Sequence, residues 1–130
     1  MGQTQLLLGI LGVLLVGVAI FVGISMFSAN AVENTRSAII TDLQAFSGKA
    51  LTYYWKPATQ GGGNKSFNGV TIGQIAAMGE NPNARYYVES AQDDNCVIVG
   101  VGKIVAGDGD SIRVRIQVSP TKRGIVEIVN

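Results

Sequence analysis

Charged side chains are absent from the first 32 residues of this chain, and the first ionisable side chain is that of Glu33. Histidine is absent throughout, and cysteine occurs once, as Cys96. A lone cysteine excludes an internal disulfide, and without histidine the common general-base, nucleophilic and zinc sites lack their usual groups. Ten basic and nine acidic residues provide no strong field for nucleic acid. We therefore expect no enzyme, no cofactor and no specific nucleic-acid binding.

The uncharged stretch is also the longest apolar segment. Residues 6–27 are 22 residues whose only polar side chain is Ser25, and about 20 apolar residues suffice to cross the hydrocarbon core of a bilayer. A soluble helix that is apolar on all sides needs protein around it, and the rest of the chain is too short to supply it. A cleaved signal sequence fits less well, because it starts with basic residues. The segment is therefore predicted to span a membrane.

Small residues follow one another along this segment in steps of three and four, which places them on one helical face. Such a face lets a second helix approach closely in an apolar medium, although glycine is also generally commoner in membrane helices. Gly17 lies off this face. The residues predicted to pack together in this way are Gly9, Gly12, Val16, Ala19 and Gly23.

Beyond the apolar segment, the same spacing of apolar residues continues with charged residues between them, which predicts an amphipathic helix. No proline interrupts it before Pro57, and the residue before a proline is driven out of helical geometry, so the helix is predicted to end at Lys56. One helix over residues 1–56 is expected, and the apolar stripe on its residues 32–56 must be covered by another part of the chain. The residues predicted to pack against that cover are Ile39, Leu43, Phe46, Ala50 and Tyr54.

The remainder, residues 57–130, reads as a small β-rich head. Residues 59–65 contain three consecutive glycines and are predicted to form a flexible boundary loop. Alternation of apolar and polar residues, which is typical of a strand, is clearest over 112–118. A short helix started by Thr71 is expected within 70–78. Tight turns between the strands predict an antiparallel meander. The fold class is thus α+β, a long N-terminal helix packed on a small antiparallel sheet. The predicted strands cover residues 86–89, 96–101, 112–118 and 124–129.

Carboxylates cluster at two predicted turns, residues 93–95 and 107–110. Asp108 and Asp110 are the weak candidates for a calcium site, but calcium takes six to eight oxygen ligands, so turn chemistry is the preferred interpretation and no metal site is predicted.

Arg113 and Arg115 fall on one face of their strand. That face is either solvated or a contact to another subunit or surface. Tyr53, Tyr54 and Trp55 at the helix end indicate packing on the sheet, with a contact between subunits as the alternative.

A charge-free N-terminal helix that continues as an amphipathic helix and meets a small antiparallel sheet resembles the type IV pilin superfamily. In sequence the resemblance covers roughly residues 1–54, and it is closest to the variety with a Gly-Gln start and a downstream Gly-Gly-Gly-Asn loop, here residues 2–8 and 61–64. It implies a precursor held in the inner membrane, a leader removed by prepilin peptidase, and an N-methylated first residue, here Met1. The pilus assembly machinery then builds a helical homopolymer on the cell surface.

Three departures from the usual pilin pattern are visible. Gln5 stands where most pilins carry a glutamate that pairs with a neighbour's terminal amine, so Met1 and Gln5 are predicted to set subunit register through a neutral amide. Val22 stands where many pilins have a helix-breaking proline, and a C-terminal cysteine pair is absent.

The function expected from the resemblance is that of a structural subunit of a surface filament that supports adhesion or motility. A minor pilin or a type II secretion pseudopilin is the nearest alternative. A single-span, membrane-anchored binding domain that never polymerises is an alternative of another class.

Overall fold

The structure is a computed structural model, and it describes residues 2–76, 78–105, 109–121 and 125–129. The chain divides into two compact units, one ending at Ala31 and the other beginning at Val32. The first helix, α1 (Gly2–Trp55), is 54 residues long. A four-stranded antiparallel sheet follows it in the second unit. The predicted α+β class, with a long N-terminal helix and a small antiparallel sheet, is confirmed.

α1 ends where the sequence allows it no further turn. Its last helical residue is Trp55, one residue before the predicted end, because Lys56 precedes Pro57. The Lys56 amide still donates to the carbonyl oxygen of Thr52 at 3.1 Å. A 3₁₀ turn follows at Ala58–Gln60.

The three-glycine segment, predicted as a flexible loop, folds back and caps the end of α1. A Cβ atom at Gly62 would lie 2.3 Å from the carbonyl oxygen of Lys56, and one at Gly63 would lie 1.9 Å from that of Ser66. Only glycine fits at both positions, because the close neighbours are backbone atoms. The cap satisfies carbonyl groups that a helix end otherwise leaves without partners. Its hydrogen bonds run from the amides of Gly63, Asn64 and Lys65 to the carbonyl oxygens of Tyr53 at 2.8 Å, Lys56 at 3.0 Å and Tyr54 at 2.7 Å.

The short helix α2 (Ile72–Ile75) follows Thr71, as predicted. The side-chain carbonyl of Gln74 accepts a hydrogen bond from the Thr71 amide at 3.0 Å, which is half of a capping box.

The sheet is a meander in the order β1-β2-β3-β4. The predicted strands are present, and the first three extend beyond their predicted bounds. The fourth covers residues 125–128 of the predicted 124–129, and Gly124 lies outside the described residues. β2 pairs with β1 and β3 through registers that shift once each, between Val88 and Ser90 and between Val101 and Val105. The strands are β1 (Ala84–Ala91), β2 (Cys96–Val105), β3 (Ser111–Val118) and β4 (Ile125–Ile128).

The core of the second unit lies between one face of this sheet and the later part of α1. β3 shows the alternation that its sequence predicted, because Ile112, Val114, Ile116 and Val118 are buried while Arg113 and Gln117 are exposed. From α1, the buried apolar residues are Ile39, Leu43, Ala50 and Tyr54, and Phe46 packs against them partly buried.

Glycines on β2 let α1 lie close to the sheet. A Cβ atom at Gly100 would lie 2.7 Å from Cγ2 of Ile39 and 2.9 Å from Cε1 of Tyr86. At Gly102 the same atom would be 3.3 Å from Cδ1 of Ile39. The Ile39 side chain therefore occupies the space that a larger side chain at Gly100 or Gly102 would need.

Candidate functional site

The first unit presents an apolar surface to its surroundings. Every large apolar side chain within residues 6–27 is between 47% and 76% exposed. α1 contains a window with a mean hydropathy of 2.9, which makes the helix long and apolar enough to cross a membrane. An apolar patch of this size marks a surface that contacts lipid or protein.

The single polar side chain in this segment needs no partner outside its own helix. Ser25 Oγ donates to the carbonyl oxygen of Phe21 at 3.0 Å. Such a bond satisfies the hydroxyl locally, and helical geometry satisfies the backbone. Residues 6–27 are therefore chemically suited to a medium without water.

The backbone is open to close approach along the predicted small-residue face. A Cβ atom at Gly9, Gly12 or Gly23 would meet nothing within 4 Å, and Val16 and Ala19 are exposed. Gly17, off that face, is equally open.

The register residues are placed only in part. Gln5 is exposed and lines a shallow groove whose wall includes Leu6, Gly9 and Val13. Met1 lies outside the described residues, so the predicted pair of Met1 and Gln5 stays a prediction.

In the second unit, the residues predicted to pack on the head occupy its core. Ile39, Leu43 and Ala50 are fully buried. Phe46 stacks edge-on to Tyr86 with ring centroids 4.9 Å apart. Tyr54 is 4.8 Å from the ring of Phe67.

The aromatic cluster at the helix end divides between core and surface. Tyr54 is buried and Tyr53 half-buried, whereas Trp55 is 59% exposed and contacts Tyr54 edge-on at 5.0 Å.

Sequence reasoning missed a polar anchor between α1 and β1. Asp42, one of the charged residues that fall between the apolar positions of α1, accepts hydrogen bonds from the Tyr86 hydroxyl at 2.5 Å and from the Asn81 side-chain amide at 2.8 Å. Burial, and then the bond to Asp42, raise the pKa of Tyr86 far above its ordinary value. The partners are 39 and 44 residues from Asp42 in the sequence, so no local pattern could indicate them.

The acidic candidates do not converge. Asp108 lies outside the described residues, and Asp110 is exposed beside Ser111 and Arg113. Across residues 2–76, 78–105, 109–121 and 125–129, no three of the His, Cys, Asp and Glu side chains group as metal ligands would. Asp93 instead accepts a hydrogen bond from the Ser66 hydroxyl at 2.9 Å.

Cys96 is fully buried at the start of β2. Burial raises the pKa of its thiol to about 11. The reactive thiolate is therefore scarce at neutral pH.

Cations collect on the sheet face that is turned away from α1. Strand pairing sets Arg85 of β1 and Arg113 of β3 on either side of Val101 of β2. A groove forms there, and we name it the cationic groove; its lining residues are Arg85, Tyr87, Val101, Gly102, Lys103 and Arg113. Of these, the sequence indicated Arg113 alone.

One carboxylate at the edge of the cationic groove is already engaged. Glu80 pairs with Lys103 at 2.7 Å and, more loosely, with Arg85 at 3.7 Å. The hydrogen bond from Lys103, and then the nearby positive charges, lower the pKa of Glu80. Arg115, further along β3, pairs with Glu89 at 3.0 Å. Arg113 has no ion pair with a carboxylate of the described residues.

Comparison of the chain with protein-family models, with curated proteins and with solved structures gave no match. The class of protein is therefore defined by architecture alone. It is an α+β head that follows a long helix whose first half is apolar and exposed, and this plan is consistent with a pilin-like fold.

Proposed function

We propose that this chain is the structural subunit of a type IV pilus-like surface filament, which polymerises through the apolar first half of α1. The observation that carries the proposal is the exposure of every large apolar side chain of residues 6–27 on a helix segment without charge. That surface needs lipid before assembly and a bundle of identical helices after it. The assigned partners are accordingly the inner membrane, prepilin peptidase, the pilus assembly machinery and further copies of the chain.

The glycines favour a polymer over a permanent membrane span. Each glycine in a helix interior costs about 1 kcal/mol relative to alanine, and crossing a bilayer does not require them. A close helix contact does, because small residues let the backbones approach. Identical contacts repeated head to tail without closure generate an open fibre.

Two rival functions use the same helix. A minor pilin or pseudopilin would prime a short assembly, and a single-span binding domain would stay alone in the bilayer. Of these, only the single-span binding domain does not need the open backbone at Gly9, Gly12 and Gly23. Adhesion and motility are the surface functions assigned to the filament.

The test compares two leucine substitutions in the full chain, Gly12→Leu on the small-residue face and Gly17→Leu off it. Both glycines have open space around their Cβ positions, so neither change disturbs the isolated helix. We expect both variants to insert in the membrane. Gly12→Leu should lower the yield of sheared filaments about tenfold, since the loss of one close helix contact of about 1.4 kcal/mol has this effect on an equilibrium, while Gly17→Leu stays near the natural yield.

Electron microscopy and gel densitometry of sheared surface material supply the readout. Equal yields for the two variants would refute packing through the small-residue face. Natural chain that is found only as detergent-extracted monomers, with no high-mass material, would refute the filament itself and favour the anchored binding domain.

A further inference from the structure

We infer that the cationic groove of one copy receives the acidic β1–β2 turn of a second copy. The acidic turn is defined as residues 92–95, with Asp93 and Asp94 at its tip. This contact rests on the proposed function, because it requires copies held side by side in a polymer.

The cationic groove is open to a partner. Its cations are substantially exposed, with 71% of the Arg85 side chain and 43% of the Lys103 side chain accessible. Tyr87, which is 40% exposed, borders it, and Val101 forms an apolar floor. The groove is lined by three cations, Arg85, Lys103 and Arg113, and Glu80 is the carboxylate at its edge. Asp110 lies in the adjoining cleft beyond Arg113. The groove therefore retains positive charge for an incoming carboxylate.

The acidic turn is held firmly and points its charge outward. The Gln92 amide donates to the carbonyl oxygen of Asn95 at 2.7 Å, which closes the turn. Asp93 accepts hydrogen bonds from the Ser66 hydroxyl at 2.9 Å and, at its backbone oxygen, from the amide of Phe67. Since Phe67 is fully buried, the turn is tied to the core. Asp94 is exposed and has no hydrogen bond or ion pair within the described part of the chain.

The two features occupy opposite ends of one hairpin, so they cannot satisfy each other within a single copy. β1 begins beside the cationic groove and ends at the acidic turn, and Ala91 lies six positions after Arg85. At about 3.3 Å per residue, that is about 20 Å. Different patches on the two partners make the contact heterologous, and a heterologous contact whose rotation does not close into a ring extends into an open polymer.

A second copy is the occupant that charge complementarity selects. Opposite potentials across an interface fix register and reject wrong arrangements more than they add affinity. The head contact would then set how neighbouring subunits are spaced, while the apolar helices hold them together.

Charge reversal and charge exchange test the contact in the full chain. Arg113→Glu alone and Asp94→Lys alone each place like charges together, and each should lower the sheared-filament yield about tenfold. The double variant restores an opposite pair and should recover most of the natural yield. Lys49→Glu reverses an exposed cation of α1 outside both features and should change the yield little.

Cross-linking gives a readout that does not depend on yield. A chain carrying both Asp94→Cys and Arg113→Cys should form an intermolecular disulfide ladder in oxidised filaments. Chains carrying either change alone should form none. The native Cys96 can remain, because its thiol is buried.

The outcomes separate this inference from the filament proposal. Filaments of natural yield from Arg113→Glu, or no ladder from the double cysteine variant, would overturn the head contact and leave the filament intact. Absence of filaments from the natural chain would overturn both. If the groove bound a free anion instead of a second copy, Arg113→Glu would also give filaments of natural yield, because assembly would then not depend on Arg113. That result would likewise overturn the head contact.

Discussion

At the scale of single residues, a polar contact that joins α1 to the sheet is the hydrogen bond from Tyr86 to Asp42. A hydrogen bond to a charged group contributes about 1.5–3 kcal/mol, and a buried acceptor left without its donor costs a similar amount. Tyr86 is only 2% exposed and Asp42 is partly buried, so water can replace the hydroxyl only in part. The same residue also contacts Phe46 and limits the space at Gly100. One side chain thus joins α1 to β1 and β2 through both polarity and shape.

Replacing Tyr86 by phenylalanine tests this contact and its pH dependence. The pKa of Tyr86 is raised from an ordinary value of 10.0, so unfolding releases its proton above that pH. Its contribution to stability is therefore complete below pH 10 and falls as pH rises further, by about 1.4 kcal/mol per unit. We expect Tyr86→Phe to be less stable than the natural chain at pH 8, with the difference shrinking above pH 10.

The measurement is chemical unfolding of the full chain in detergent micelles, followed by circular dichroism at several pH values. Tyr87→Phe is the matched control, because Tyr87 is the neighbouring tyrosine and is 40% exposed. A gap between Tyr86→Phe and the natural chain that stays constant from pH 8 to above pH 10 would contradict the role of the buried hydroxyl.

At the scale of elements, the three-glycine segment determines how α1 ends. Gly63→Ala would place a Cβ atom 1.9 Å from the Ser66 carbonyl oxygen and 2.8 Å from the Tyr53 ring. Backbone must then move, and the cap of α1 is lost. We expect the amides of Asn64 and Lys65 to exchange hydrogen about two- to tenfold faster, because each lost hydrogen bond contributes about 0.5–1.5 kcal/mol.

Hydrogen exchange followed by mass spectrometry measures this change. Gly73→Ala in α2 is the control, since a Cβ atom there meets nothing within 4 Å. Protection of Asn64 and Lys65 that survives Gly63→Ala would show that the cap forms without these close contacts.

Elements were predictable where their signals are local. The absence of proline before Pro57, and the alternation of Ile112, Arg113 and Val114, are read within a few residues. The sequence predicts a flexible loop where the cap of α1 forms, because glycine provides both conformational freedom and room for close approach. Which of the two applies depends on what lies nearby, here the backbone of Lys56 and Ser66.

The candidate surfaces are likewise predictable only where the residues that form them are close in sequence. Spacing alone placed Gly9, Gly12 and Gly23 on one face, since a helix fixes which residues are neighbours. Of the residues that line the cationic groove, the sequence pattern indicated only Arg113, because Arg85 and Lys103 come next to it only through strand pairing. Register between strands depends on contacts that a single sequence does not display.

At the scale of the whole molecule, apolar and charged surfaces have different tasks in assembly. Exposed ion pairs contribute only about 0–1 kcal/mol each, so contacts between heads are too weak to associate free copies. Once the apolar helices hold copies together, the same contacts act at a high effective concentration. Polymerisation should therefore depend on the first unit for strength and on the second for register.

Removal of residues 1–31 separates these tasks. The remaining chain begins at Val32, keeps the core around Ile39 and Leu43, and loses the apolar surface of residues 6–27. We expect it to fold in water without detergent and to sediment as a monomer at micromolar concentration, even with the cationic groove and the acidic turn intact. Circular dichroism and analytical ultracentrifugation are the measurements. High-mass polymers of this shortened chain would show that the head alone drives assembly, and an unfolded product would show that its core depends on the missing helix.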